Sequence, residues 1–467
     1  MITARAFAGK HYAVYGLARS GLATVEALLA SGAKVTAWDA KEEARSSLAA
    51  QLRGRGTAEG GGGGVGANPL HHASHGPPPP AAPREDLVIA NLDEIDLSQF
   101  DSLVVTPGLP LNRHPIAQRA RDAGVEIIGD IELFARARPE LPPHKVVGIT
   151  GTNGKSTTTA LVHHILQTAG VPSAMGGNIG LPILAQDPLP AGGVYVLELS
   201  SYQIDLTQSL DCDVAVLLNI TPDHLDRYQS FEAYRDSKLR LFSMQSEGHY
   251  SVLAAADPKI IDIILQWTNG SRDWTYGVPM NFEGWDDQLR CPSLRGPHNA
   301  QNISAAEGVL RCLGVRFDPR APGGAFESYP GLPHRMERVR EEGGVVFVND
   351  SKATNPTATA PALAAFERIR WICGGQAKTD NLDECAPHFD HVRKAYTIGE
   401  AGELFASLLS PHMAVAECVT LERAVGEAAA EAESGDTVLL SPACASFDQF
   451  RDFEDRGDTF RRLVEAL

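Results

Sequence analysis

Three consecutive α/β domains with mainly parallel sheets are predicted for this chain, on three observations. Apolar strand segments alternate with helical ones along most of its length, the pattern of βαβ units rather than of a meander. An apolar run, KVVGIT, leads directly into GTNGKST at residues 151–157, a glycine-rich turn between a strand and a helix. At 467 residues there is room for about three domains, each large enough to bury its own core. The predicted limits are 1–140, 141–330 and 331–467.

The first domain opens with HYAVYGLARSGLATVEALLASGAKVTAWD (11–39), which runs strand, glycine turn, amphipathic helix, strand, with Asp39 closing the second strand. This is a Rossmann-like start. Its turn, Gly16 to Gly21, carries Ala18 where a strict GxGxxG has its middle glycine, so the backbone approach that a dinucleotide pyrophosphate needs is impaired. NAD binding is disfavoured. A later strand, SLVVTPGLP (102–110), ends in a Pro-Gly turn suited to facing a ligand. Between them, residues 53–86 include five consecutive glycines and four consecutive prolines, too little apolar surface to offset ordering entropy, and a disordered insertion is expected. His71, His72 and His75 within it read as solvated low-complexity sequence, not as a metal site.

RARPELPPHK (136–145) is a proline-rich linker, after which the GTNGKST strand opens the second domain. The helix that follows places Leu161, Val162, Ile165, Leu166 and Ala169 on one face. A further boundary falls near YPGLPHR (329–335), and the apolar strands VVFVND and TVLLSPA with helices between them form a third, Rossmann-like α/β domain.

Composition narrows the function. Asp and Glu total 58 against 41 Lys and Arg, a formal net charge of -17, which excludes nucleic acid or an anionic membrane as the expected partner. Seven scattered cysteines show no metal-ligand or disulfide spacing and fit a reducing cytoplasm. No run approaches 18 uninterrupted apolar residues and the N-terminus has no signal-like segment, so neither a membrane span nor targeting is expected.

In GTNGKST, the amides of Thr152 to Lys155 can cradle phosphate oxygens at a helix N-terminus, Lys155 can reach the terminal phosphates and Ser156 can hold magnesium. Only Thr152-Asn153 separates Gly151 from Gly154, closer than in GxxxxGK, so a standard nucleotide switch protein is a poor match. VYVLELSSYQID (194–205) delivers Glu198 at a strand end, where P-loop folds place a magnesium-site acid. AVLLNITPDHLDRY (215–228) breaks at Thr221-Pro222 and presents Asp223, His224 and Asp226 for metal or substrate contact. YRDSKLRLF (234–242) reads on its own as a basic amphipathic helix with Lys238 at the surface.

Taken together, GTNGKST, LELSSYQID, NITPDHLDRY, YRDSKLRLF, GLPHR, NDSKATNP and LLSPACASFDQF resemble the Mur ligases of bacterial peptidoglycan synthesis, through almost the whole chain apart from residues 53–86. The last two motifs resemble those of the members that add D-glutamate. The resemblance implies an N-terminal domain that binds UDP through Arg19, Ser20, Asp39 and the Thr106-Pro107-Gly108 turn, with Asn178 and Gln203 extending the site for UDP-N-acetylmuramoyl-L-alanine. For ATP it implies Gly151, Thr152, Asn153, Gly154, Lys155, Ser156 and Thr157 at the phosphates, with Asn299, Asn302, Arg335, Asp350 and Lys352. Catalytic roles fall to Lys155, Glu198, His224 and Lys238. Magnesium would lie on Ser156, Glu198, His224 and Lys238, the last as a carbamate. Thr354, Lys378, Ser446 and Phe453 would surround D-glutamate. A cytoplasmic monomer making an acyl phosphate is the resulting expectation. The rivals are a P-loop ATPase that needs no small-molecule substrate, a UDP-sugar-binding relative without activity, and a ligase of the same family that adds another amino acid.

Overall fold

The computed structural model describes residues 1–54, 86–221, 223, 227–253, 275–277, 292–294, 297–316, 318 and 324–467. The insertion at 53–86 lies almost wholly outside them, as does His224. Among the described residues the architecture is α/β with three sheets, as the strand–helix alternation predicts.

The first sheet contains β1 (His11–Tyr15), β2 (Lys34–Trp38), β3 (Leu87–Ile89), β4 (Ser102–Val105) and β5 (Glu126–Ile128), all parallel, in the order β3-β2-β1-β4-β5. Strand order reverses between β1 and β4, so the turns after those two strands face one crevice at the carboxyl edge.

The second sheet is also parallel: β6 (His144–Thr150), β7 (Ser173–Gly177), β8 (Gly193–Glu198), β9 (Val214–Leu217), β10 (Tyr250–Leu253) and β11 (Thr275–Gly277), ordered β11-β10-β9-β6-β8-β7. Strands such as VYVLE and VAVL are buried along their whole length. That is why they read as continuous apolar runs instead of alternating ones.

The third sheet joins β12 (Glu337–Glu342), β13 (Val345–Asn349), β14 (Ile369–Gly374), β15 (Val392–Ile398), β16 (Ala414–Val419) and β17 (Thr437–Leu440) in the order β12-β13-β17-β14-β15-β16. Only edge strand β12 runs antiparallel. Both faces are covered by apolar clusters, one around Trp371 and Phe405 and the other around Tyr396 and Phe460.

Backbone contacts divide the chain into two compact units. One comprises Met1–Lys155, Ala169–Val278 and Gly308–Val315; the other comprises Ser156–Thr168, Pro279–Glu307 and Arg316–Leu467. Within the first, one apolar core runs from Val14, Val25 and Leu28 of the first sheet's layer to Tyr195, Leu217 and Phe242 of the second. Glu132 adds a polar lock there, its Oε2 accepting hydrogen bonds from the amides of Gln208 (2.7 Å) and Ser209 (2.9 Å). Of the helix face read after GTNGKST, Leu161, Val162, Ile165 and Leu166 are buried, whereas Ala169 lies past the helix end at Thr168 and is exposed. Among the described residues no helix is long and apolar enough to cross a membrane.

Candidate active site

At the carboxyl edge of the first sheet, the turn after β1 is built around Asp39. Its Oδ2 accepts from the Leu17 amide at 2.7 Å and its Oδ1 from the Lys41 amide at 2.8 Å, tying the ends of β1 and β2 together. The helix Arg19–Ala30 starts on Arg19 and Ser20, so both stand at a helix N-terminus, where backbone amides and the dipole favour an anion. Gly16, at φ 99°, has no room for a side chain: a Cβ would stand 2.2 Å from Thr106 Oγ1. Close approach of the β1 and β4 turns therefore requires glycine at that position. Thr106 and Gly108 thus flank the same turn as Arg19, Ser20 and Asp39.

A residue the sequence reading passed over joins this region to the second sheet. Arg227 donates to the carbonyl oxygens of Pro107 (3.3 Å), Gly108 (3.3 Å) and Leu109 (2.9 Å), and its guanidinium lies over the Tyr202 ring at 4.3 Å. Tyr202 stacks on Tyr228, whose hydroxyl donates to Asp205 Oδ2 at 2.8 Å. The only sequence signal was that NITPDHLDRY places Arg227 beside Tyr228.

The carboxyl ends of β6, β8 and β9 converge on the phosphate-binding sequence. Asn219 closes the Gly151–Lys155 loop by accepting from the Asn153 amide (2.8 Å) and donating to its carbonyl (3.1 Å). Lys155 Nζ donates back to the carbonyls of Gly151 (3.0 Å) and Thr152 (2.7 Å). Lys238, on the helix Phe231–Ser243, is not at the surface as its helix suggested. It is 2 % exposed, donates to the Gly151 carbonyl at 2.9 Å and lies over the Tyr234 ring at 4.6 Å. Burial first, and then the charge of Lys155, lower its pKa to about 7, against the opposing pull of Asp223, Asp205 and Glu198.

Glu198, at the end of β8, is buried; its Oε1 accepts from Asn178 Nδ2 at 2.9 Å, while Oε2 has no hydrogen-bond partner among the described residues. A buried carboxylate oxygen left open in this way suits a hard cation. Gly177, at φ 88°, allows Asn178 to approach, its amide donating to the Glu198 carbonyl at 2.9 Å. Gln203 is buried, and its Oε1 closes a capping box on the helix Ser201–Asp205 by accepting from the Ser200 amide. Among the described residues no three His, Cys, Asp or Glu side chains form a ready cluster for a metal. Magnesium at phosphate sites needs only one or two carboxylates, with phosphate and water completing its shell.

In the second unit, Ser156 lies in the first turn of the helix segment that runs to Thr168, and its Oγ accepts from Arg335 Nη2 at 3.0 Å. Thr157 is the next residue of that helix. Thr158 donates to Asn302 Oδ1 at 3.3 Å, and Asn302 Nδ2 donates to Asn299 Oδ1 at 2.9 Å, all three buried. Arg335 sits between two residues in the left-handed region, His334 (φ 61°) and Met336 (φ 49°). Buried Asp350 holds this turn by accepting from the Met336 amide at 3.2 Å and from Ser441 at 2.8 Å, and burial pushes its pKa up to about 7. The loops after β13, β14 and β17 carry Lys352 and Thr354, Lys378, and Ser446 respectively. Lys352 Nζ lies 3.6 Å from the centre of the Phe453 ring, Ser446 is buried, and Lys378 is exposed.

Residues 149–310 match the Mur ligase middle domain and residues 334–444 the Mur ligase, glutamate ligase domain. A protein of Novosphingobium aromaticivorans named UDP-N-acetylmuramoylalanine–D-glutamate ligase is 56% identical over 467 residues, covering 100% of this chain and 97% of the relative. The chain belongs to the Mur ligase family. Proteins of the same name from Zymomonas mobilis (52% identical, 100% of each chain) and Caulobacter vibrioides (41%, 100% of this chain and 98% of the relative) also align end to end. The fold is shared with MurC from Thermotoga maritima, at TM-score 0.55 and 16% identity over 98% of this chain and 99% of that one. It is also shared with MurF from the same organism in complex with ADP, at TM-score 0.53 and 19% identity over 76% and 92% of the two chains. This Mur ligase is thus an enzyme of the ligase class whose fold neighbours include an ADP complex.

Proposed function

We propose that this Mur ligase joins D-glutamate to UDP-N-acetylmuramoyl-L-alanine with hydrolysis of ATP, in the cytoplasmic synthesis of peptidoglycan precursors, acting as a monomer. The observation that carries the reading is the end-to-end 56% identity to a ligase named for that reaction, in a chain that retains Lys155, Glu198 and a buried Lys238. Domain limits of 1–140, 141–330 and 331–467 divide the work among UDP substrate, ATP and amino acid.

The alanyl carboxylate attacks the γ-phosphate of ATP to give an acyl phosphate and ADP, and the amine of D-glutamate then displaces phosphate through a tetrahedral intermediate. Bringing a carboxylate to a triphosphate is opposed by repulsion of roughly 4 kcal/mol per unit charge pair at 4 Å and an effective dielectric of about 20. Lys155 and the amides of the Gly151–Ser156 turn offset that repulsion, so positioning and charge neutralisation outweigh acid–base work. Glu198, Ser156, His224 and a carbamylated Lys238 would hold Mg²⁺, which when bound supplies charge neutralisation at the phosphates. A carbamate forms only from a neutral amine, and the depressed pKa of buried Lys238 supports that role. Arg19, Ser20, Asp39, Thr106, Gly108, Asn178 and Gln203 serve the UDP substrate. Asn299, Asn302, Arg335, Asp350 and Lys352 serve ATP, and Thr354, Lys378, Ser446 and Phe453 serve D-glutamate.

The test is phosphate release with UDP-N-acetylmuramoyl-L-alanine, ATP and a panel of amino acids. D-Glutamate should be the strongest acceptor by a wide margin. Preference for another amino acid, or release without any acceptor, would overturn the proposal.

A further inference from the structure

Arg456 is a buried cation that none of the roles above uses. It lies on the helix Phe453–Glu465 and is 1 % exposed. Its guanidinium is held by neutral oxygens: Nε donates to Ser351 Oγ at 2.9 Å, Nη2 to the Ser351 carbonyl at 2.8 Å and the Cys444 carbonyl at 3.1 Å, and Nη1 to the Ala445 carbonyl at 3.3 Å. No carboxylate among the described residues comes within ion-pair distance of it. Asp350 and Asp448 act on it only at longer range. Burial lowers its pKa to about 10, so it stays charged at neutral pH. A cation buried without an adjacent counter-ion is costly, and its field reaches further in a low-dielectric interior than at a surface.

The acceptors lie in two separate loops. Ser351 belongs to NDSKATNP after β13, next to Lys352 and close to Thr354; Cys444 and Ala445 belong to SPACASFDQF after β17, next to Ser446. The third loop, after β14, abuts the same group: a Cβ on Gly375 would stand 3.2 Å from Arg456 Nη1. Gln376 and Ala445 then exchange backbone hydrogen bonds of 2.9 Å, two residues before Lys378.

We propose that Arg456 is a positioning residue for the amino-acid substrate, fixing the three loops that carry Lys352, Thr354, Lys378 and Ser446 and adding a buried positive charge that favours a dicarboxylate there. The inference rests on the D-glutamate reading and extends it to a residue that does not touch the substrate. A planar fork with fixed donor directions makes four hydrogen bonds to the two loops in one geometry, whereas an ammonium has three freely rotating donors.

The test compares Arg456→Lys and Arg456→Gln in the full chain, by phosphate release with ATP and the UDP substrate saturating. Lysine keeps the charge and loses the fork; glutamine loses both. The KM for D-glutamate should rise about tenfold or more in Arg456→Lys and further in Arg456→Gln, with the KM for ATP changed less than about twofold. Inhibition by D-glutamine, which lacks the side-chain charge, should weaken less than D-glutamate binding in Arg456→Gln, a difference that loop disorder alone would not produce. An unchanged KM for D-glutamate, or equal rises for D-glutamate and ATP, would overturn the inference. If Arg456→Gln does not fold, Arg456→Lys decides by the same two constants. A parent enzyme that releases no phosphate with D-glutamate refutes the functional reading before any variant is compared. A parent that uses D-glutamate beside an unaffected Arg456→Lys refutes only the role given to Arg456.

Discussion

Replacing Lys238 by methionine should make the protein more stable and abolish its activity. The amine is 2 % exposed, and burial with the neighbouring Lys155 depresses its pKa from 10.5 to about 7. At about 1.4 kcal/mol for each tenfold change, keeping that amine in the fold costs about 5 kcal/mol at neutral pH. Methionine fills a similar unbranched space without a charge. It forfeits the hydrogen bond to the Gly151 carbonyl and the contact with the Tyr234 ring, each worth about 1 kcal/mol. The net gain is about 3 kcal/mol. The sign of the pH dependence follows from the folded pKa lying below the unfolded one: the fold binds fewer protons, so the parent's stability is full above pH 10.5 and falls as pH drops toward 7. Urea midpoints in CO₂-free buffer should favour Lys238→Met most at pH 7 and converge with the parent as pH rises. A variant less stable than the parent at pH 7, or a difference that does not change with pH, would refute the reasoning. In activity assays Lys238→Ala should lose most turnover, and Lys238→Arg should do no better because guanidinium forms no carbamate. Short carboxylic acids should partly restore the alanine variant. Full activity in Lys238→Arg would show that a positive charge suffices.

Lys155→Ala should abolish acyl phosphate formation, whereas Lys378→Ala should chiefly raise the KM for D-glutamate; equal loss of ATP affinity by calorimetry in both would contradict the division of roles. Gly177→Ala places a Cβ 2.2 Å from the Glu198 carbonyl oxygen at φ 88°, and should cost about 2 kcal/mol or more in urea denaturation, so an unchanged midpoint would be evidence against that close approach. Deleting residues 54–83, of which all but Gly54 lie outside the described structure, should leave turnover and thermal stability nearly intact; a tenfold loss of affinity for the UDP substrate would give the tract a role.

Local pattern alone determined a good deal about this protein. β-Branched runs buried on both faces marked the strands, glycines marked the turns, and GTNGKST marked a helix N-terminus with a lysine and a hydroxyl, because each of these signals acts through near neighbours in the chain. The family followed from such motifs read together, and so did Glu198, which simply ends an apolar strand. The tertiary structure decided what depends on partners far away in sequence. Lys238 reads as a surface lysine on its helix and is buried because the loop after β6 covers it, its amine meeting a carbonyl 87 residues earlier. Arg227 reads as one more basic residue until three carbonyls of the first sheet's turn close around it. Gln203 stands in a motif yet spends its side-chain oxygen on a helix cap. Arg456 sits on a terminal helix rich in charged residues, and is a buried cation only because β13 and β17 lie side by side and bring Ser351 and Cys444 to the same guanidinium. Desolvation depends on the whole surroundings of a group, and strand order sets those surroundings; neither is written in any one stretch of the chain.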